Sequence, residues 1–270
     1  MRRHALSDAQ WERIEEMLPT NGHRGRQWKA HRSVIDGILW ILETGAPWRD
    51  LPERFGAWKT VYERFRLWCR TRFWDRLLES LLAEANAAGG ISWDLFCIDG
   101  SVVRAHKAAA GAGNKVRPGE PADHALGRSR GGFSTKIHLV CDAKGRAIAA
   151  ELSPGQNHET TRFASLVDGI EVRGARGRPR KRPDALAGDK AYSAGWTRAF
   201  LRTRRIEPVI PTRKDEARKP SFDRELYRER NNVERCIGRL KEARRIATRY
   251  EKLAVHYLGM LTIGMIMQYL

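Results

Sequence analysis

Between Trp93 and Ile210 the sequence alternates short apolar runs with amphipathic stretches, in an order that admits few folds. Trp93–Ile98 is a buried type of strand that ends at Asp99-Gly100-Ser101. Ser134–Cys141 (STKIHLVC) and Arg146–Leu152 (RAIAAEL) are two strands around a hairpin turn at Asp142–Gly145. A helix is expected over about Thr160–Val167, then a short strand at Ala185–Ala187 leading into Gly188-Asp189-Lys190. A helix over about Ala194–Thr203, a strand at Pro208–Ile210 and long final helices follow. This is α/β order, with a mixed five-stranded sheet and flanking helices. The first and third strands should be parallel with the second antiparallel between them, and right-handed crossovers make the fourth parallel to the first. Asp99 and Asp189 then fall at the carboxyl ends of two parallel strands, where α/β sheets place their chemistry.

Tyr227–Lys241 (YRERNNVERCIGRLK) reads as one helix. At about 100° per residue, Tyr227, Arg230, Glu234 and Lys241 lie within an arc of about 60°. Leu226, Val233, Ile237 and Leu240 form an apolar stripe directly beside it. Such a helix seats one flank in a core and holds a lone carboxylate among cations at the core's edge. Packed over the same sheet edge, Glu234 converges with Asp99 and Asp189. Three crowded carboxylates raise one another's pKa unless a cation compensates.

The composition says which cation suits. Lys and Arg number 50 against 32 Asp and Glu, a net charge of +18, and 41% of the chain is hydrophobic. A folded chain so positive points to a polyanion, nucleic acid above all. Beside phosphate, a pair of hard divalent ions on oxygen ligands compensates the carboxylates and activates water or a 3′-hydroxyl. The sequence has no HExxH, Walker loop or GxSxG elbow. Cys69, Cys97, Cys141 and Cys236 form no CxxC pair and read as reduced, buried thiols of a cytoplasmic protein.

Residues 1–90 are helical. Ser7–Gln10 is a capping box that opens a helix to about Leu18, and Pro19 and Gly22–Arg26 end it. Helices follow over about His31–Glu43, Lys59–Arg70 and Trp74–Ala88, with breakers at Gly45, Pro47 and Pro52. This suits a helix-turn-helix-like DNA-binding domain, with Lys59, Arg64 and Arg66 on the helix that meets DNA. Ala87–Ser92 marks the boundary to a second domain, 91–270. Residues 107–131 read as a mobile loop. Gly177-Arg-Pro-Arg180 reads either as a flat segment that offers Arg178 and Arg180 to a minor groove or as a solvated basic loop, and His106, Lys107 and His158 either touch phosphate or serve surface and structural roles. Leu253–Leu270 reads as a helix buried against the core and not as a membrane span.

Across nearly its whole length the chain resembles the DDE transposases of bacterial insertion sequences, of the insertion-sequence-five type. The resemblance rests on TGAPWRDLPERFGAWKTVYERFRLW, CIDGSVVRAHK, GRSRGGFSTKIH, AGDKAYS and the spacing Y-x2-R-x3-E-x6-K met by Tyr227, Arg230, Glu234 and Lys241. It implies a ribonuclease-H-like core in which Asp99, Asp189 and Glu234 bind two Mg2+ ions (Mn2+ also fits). It also implies that Tyr227, Arg230 and Lys241 handle the DNA beside them. The expected partners are the element's terminal inverted repeats and a target site, engaged by a homodimer in the cytoplasm, at the nucleoid. Two other readings share these residues: a silent DNA-binding repressor, and a nuclease without strand transfer.

Overall fold

The computed structural model describes residues 5–20, 28, 30–111, 119–129, 131–174, 177–216 and 222–270. The expected helix stop at Gly22–Arg26 and residues 112–118 and 130 of the expected mobile loop lie outside these, as do residues 175–176 of the basic segment.

Four helices lead the chain: α1 (Asp8–Glu15), α2 (His31–Thr44), α3 (Trp58–Arg70) and α4 (Phe73–Ala87). Both halves of the α1 capping box form, Ser7 Oγ accepting from the Gln10 amide and Gln10 accepting from the Ser7 amide. Gly45 ends α2 in the left-handed conformation (φ 69°). The link to α3 spans residues 45–57 and holds two 3-10 turns, Trp48–Asp50 and Glu53–Phe55. It is longer than the turn of a helix-turn-helix, so α2 and α3 do not form the expected tight pair, whereas only Thr71 and Arg72 separate α3 from α4.

The sheet is built from β1 (Leu95–Ala105), β2 (Gly127–Ser129), β3 (Gly132–Asp142), β4 (Ala147–Pro154), β5 (Ala185–Ala187), β6 (Glu207–Val209) and, beside the end of β1, β7 (Thr248–Arg249). α5 (Phe163–Asp168) joins β4 to β5, and α6 (Gly195–Thr203) joins β5 to β6. Spatial order is β4-β3-β1-β5-β6, with β3 antiparallel to both neighbours and β1, β5 and β6 parallel. The five expected strands are therefore in the expected directions, and the short β2 and β7 are additions at the ends of β3 and β1.

One expectation needs correction. β1 does not stop before Asp99 but runs on to Ala105, because β3 pairs with it from Phe96↔Asp142 to Arg104↔Ser134. On its other side β5 pairs only with Leu95–Cys97, ending at Cys97↔Ala187. Asp99 is thus mid-strand, yet on the β5 side it is the first stretch of β1 left open.

The final segment is α7 (Arg224–Arg228), α8 (Asn231–Glu242), α9 (Arg244–Ala247), β7 and α10 (Ala254–Ile266). The single helix expected over Tyr227–Lys241 is two. Between them the amides of Arg230, Asn232 and Val233 bond three residues back, a tighter coil than an α-helix. Asn232, buried at this point, donates to Ala143 O and to the Glu229 carboxylate, which pins the junction against the β3–β4 turn. α8 buries Val233, Cys236, Ile237 and Leu240 on β1 and β3.

α10 is apolar nearly all round, and packs on α3, α4 and β4. Gly259 permits this approach, since a Cβ there would lie 2.5 Å from Cys69 Sγ. One apolar core consequently runs from α1 through the sheet to Tyr269. Among the described residues no helix is long and apolar enough to cross a membrane, and the four cysteines are free and buried.

Candidate active site

The register of β1 and β5 builds the site. Asp99 and Asp189 each lie two residues beyond the last parallel pair, Cys97↔Ala187, so strand alternation brings both carboxylates to one edge. Asp99 Oδ1 accepts the Gly100 amide at 2.8 Å, and Asp189 Oδ1 accepts the Ala191 amide at 2.8 Å, capping the 3-10 turn Lys190–Tyr192. A third carboxylate arrives from β4. That strand ends at Pro154, and the following 3-10 turn, Glu159–Arg162, starts with Glu159 facing the same point. Gly100 makes room for it, because a Cβ there would sit 2.9 Å from Glu159 Cγ. Carboxylate oxygens of Asp99, Glu159 and Asp189 all lie within 4.8 Å of one another.

Cations frame this cluster. Arg230, at the start of α8, places Nη2 3.0 Å from Asp99 Oδ2 and binds Glu234 with Nη1. Lys136 on β3 donates to Asn157 O at 2.7 Å and lies 3.7 Å from Glu159. Lys241 donates to Ser101 Oγ at 2.7 Å and approaches Val102 O at 3.3 Å, which fixes its charge against β1. Burial pushes the Asp99 carboxyl up to about 6, against the opposing pull of Arg230 and the Gly100 amide; Glu159 and Asp189 add to the rise. Burial and then Asp189 raise Glu159, while burial lowers Lys241.

Of the residues picked out from the sequence, Asp99, Asp189 and Arg230 meet directly at this edge, and Lys241 anchors beside it. Tyr227, on α7, packs at a tilt against Phe222 with ring centroids 5.3 Å apart and feels the charges of Arg230, Asp189, Glu234 and Asp99. Glu234 stands outside the three-carboxylate cluster. Its side chain is 51% exposed and is held by Arg230, whose guanidinium lies between it and Asp99.

The DNA-facing candidates divide. Lys59 and Arg178 are exposed. Arg66 pairs with Glu63 over the Tyr62 ring, and Arg180 pairs with Asp184 at 3.2 Å and lies 4.5 Å above Trp93. Arg64 is a correction: only 6% exposed, it is sandwiched between Trp28 (3.6 Å) and Trp68 (5.5 Å) and bonds His31 Nδ1. It cannot offer its guanidinium to base edges in this arrangement. His158 caps the turn that carries Glu159, and His106 caps Lys107–Ala110 in the same way.

Residues 94–268 match the profile of the family described as "Transposase DDE domain", and residues 6–78 match that of a "Putative transposase of IS4/5 family". The chain belongs to the DDE transposases. This transposase is 36% identical over 131 residues to the putative transposase for insertion sequence element IS402 of Burkholderia cepacia, covering 48% of this chain and 60% of that one. It is 32% identical over 143 residues to the putative transposase for IS6501 of Brucella ovis, covering 51% and 99%. A 16.2 kDa protein of IS402 from B. cepacia is 37% identical over 123 residues, 43% of this chain and 81% of its own. Among solved structures, a Mos1 transposase paired-end complex covers 86% of this chain and 85% of its own at 14% identity, with a TM-score of 0.26, too low to argue from. As a DDE transposase the protein acts on DNA, cleaving and transferring strands with divalent metal.

Sequence reasoning passed over Glu159, Lys136 and Tyr192. Glu159 directly follows the Gln156-Asn157-His158 turn on the sheet edge of Asp99, which was the available signal. Lys136 carried another, as a lysine inside a strand that is otherwise of core type.

Proposed function

We propose that this transposase cuts DNA at the ends of an insertion sequence and joins them to a target, with Asp99, Asp189 and Glu234 as metal-holding carboxylates for two Mg2+ or Mn2+ ions. The observation that carries this reading is the register that sets Asp99 and Asp189 side by side, each two residues past Cys97↔Ala187. The donor set fits a hard dication. Its two aspartates hold carboxylate oxygens within 4.8 Å of one another and of Glu159, and the Tyr192 hydroxyl is fully buried with no hydrogen-bond partner among the described residues. Bound there, the ions would ease deprotonation of water or a 3′-hydroxyl and offset charge on the phosphate.

The chain's own groups do the positioning. The Arg230 guanidinium, already shared between two carboxylates, has the planar fork that binds phosphate oxygens as readily. When DNA takes that fork, Glu234 is released toward Asp99. Lys241, fixed by Ser101 and Val102, places a cation that steadies charge developing at the scissile phosphate. Tyr227 lies against the same phosphates from α7. Residues 1–90 select the element ends, and two copies hold the two ends, in the cytoplasm at the nucleoid.

Incubating the pure protein with Mg2+, a labelled element end and a target plasmid tests this. Joined products support it. Cut ends alone indicate a nuclease, and a shifted but intact duplex indicates a repressor. Asp99→Asn, Asp189→Asn and Glu234→Gln should each remove cleavage and leave DNA binding nearly intact, because affinity comes from the many cations.

A further inference from the structure

Glu159 belongs to none of the motifs on which the functional reading rests, yet it is closer to the two aspartates than Glu234 is to forming a cluster with them. Its carboxylate shares the 4.8 Å cluster with Asp99 and Asp189, whereas Glu234 is outside it and occupied by Arg230. Its place is built and not incidental. The His158 cap starts its turn, Lys136 holds Asn157 O and lies 3.7 Å from its oxygen, and Gly100 leaves the space that its Cγ fills. At 23% exposure the Glu159 side chain is largely withdrawn from solvent, unlike Glu234 at 51%.

Tyr192 supplies an independent sign that something is bound here. Its ring packs on Phe163 at 5.6 Å and beside Gly188, next to Ile98, so it stands between the two aspartate-bearing strands. Its hydroxyl is buried without a hydrogen-bond partner among the described residues; burial opposes its ionisation most, and then the charges of Glu159, Asp99 and Asp189. A buried hydroxyl left unmatched is destabilising, so a partner is expected at the site. Water on a cation held by the three carboxylates would donate to its oxygen.

We propose that Glu159 is a fourth carboxylate of the catalytic centre, and that without DNA a divalent ion is held by Asp99, Glu159 and Asp189 while Arg230 keeps Glu234 apart. This rests on the reading of Asp99 and Asp189 as metal ligands. Glu234 then enters only when DNA draws Arg230 away, so that loading of the first ion and assembly of the full site are separate events.

The test is a Mn2+ titration of the full-length protein without DNA, followed by the electron paramagnetic resonance signal of free ion. Glu159→Gln should weaken binding by about tenfold or more, and Glu234→Gln by less than about threefold. Gly100→Ala, which keeps every carboxylate but crowds Glu159 off its position, should weaken binding as Glu159→Gln does and carries the test if that variant fails to fold. Should Asp99→Asn abolish binding while Glu159→Gln and Gly100→Ala retain it, the role of Glu159 is overturned and the aspartate site stands. Should Asp99→Asn bind Mn2+ as the parent does, the aspartate site itself is wrong. A loss on Glu234→Gln equal to that on Glu159→Gln would overturn the separation of loading from assembly.

Discussion

Arg64→Ala separates a structural arginine from a DNA-reading one. Arg64 is 6% exposed, with Trp28 at 3.6 Å on one side, Trp68 at 5.5 Å on the other and a 3.1 Å contact to His31 Nδ1. A desolvated cation–π contact contributes about 2 kcal/mol and a more distant one about 0.5–1. The contact to His31 adds about 1 kcal/mol, and the buried methylenes contribute further packing. Relief of a partly desolvated charge offsets some of this, leaving a net loss of about 2–4 kcal/mol. In a chain of this size that lowers the melting temperature by about 5–15 °C. The assay is thermal and urea unfolding of parent and variant, paired with binding to element-end and random duplexes at a temperature where both are folded. Destabilisation should come with an unchanged ratio of the two affinities. Arg64→Lys should recover less than half of the loss, because an ammonium does not stack as a planar guanidinium does. A variant that melts like the parent yet no longer distinguishes the element end would refute the reasoning.

Three further outcomes are expected. In the cleavage assay, Arg230→Ala and Lys241→Ala should each slow the reaction by about tenfold or more, whereas Arg235→Ala, an exposed residue that bonds only Asn232 among its described contacts, should change it little. In metal-free protein Asp99 titrates near 6 when folded and near 3.8 when unfolded, so between these values the folded state binds more protons and stability falls as pH rises. Asp99→Asn should accordingly melt higher than the parent at pH 7, with the difference vanishing near pH 4. Residues 1–90 expressed alone should lack cooperative unfolding in near-UV circular dichroism, because α3 and α4 bury themselves against α10; a sharp transition would show that the helices form a self-sufficient domain.

The sheet was legible because its signals are local. Apolar runs, a hairpin turn at Asp142–Gly145 and the apolar strand before Asp189 specify strands and directions, and register then places two carboxylates. Glu159 was not, since its approach depends on the missing side chain of Gly100, some sixty residues earlier in the chain, and on a turn whose sequence is merely polar. Tyr227 left the expected helix face because Asn232 draws the α7–α8 junction onto Ala143, a tertiary contact without a periodic signature. Arg64 was misplaced for the opposite reason. It shares the i, i+3, i+4, i+7 stripe of Val61, Phe65 and Trp68, so the period said buried and the residue type said exposed. Tryptophan rings let the period win.

Because α10 is wedged between the leading helices and the sheet, the two ends of the protein cannot move as beads on a string. Gly259 brings it against Cys69 on one side while its other faces rest on α4 and β4. A surface on α3 and Asp99 on β1 are therefore joined through one packed core, like the jaws of a caliper. If, as proposed above, the leading helices grip the element end while the sheet edge breaks a strand, that packing becomes a measure of length along the double helix. On that proposal the cut should fall at a constant number of base pairs from what is recognised, and an element that gained or lost a base pair between the two should go uncut.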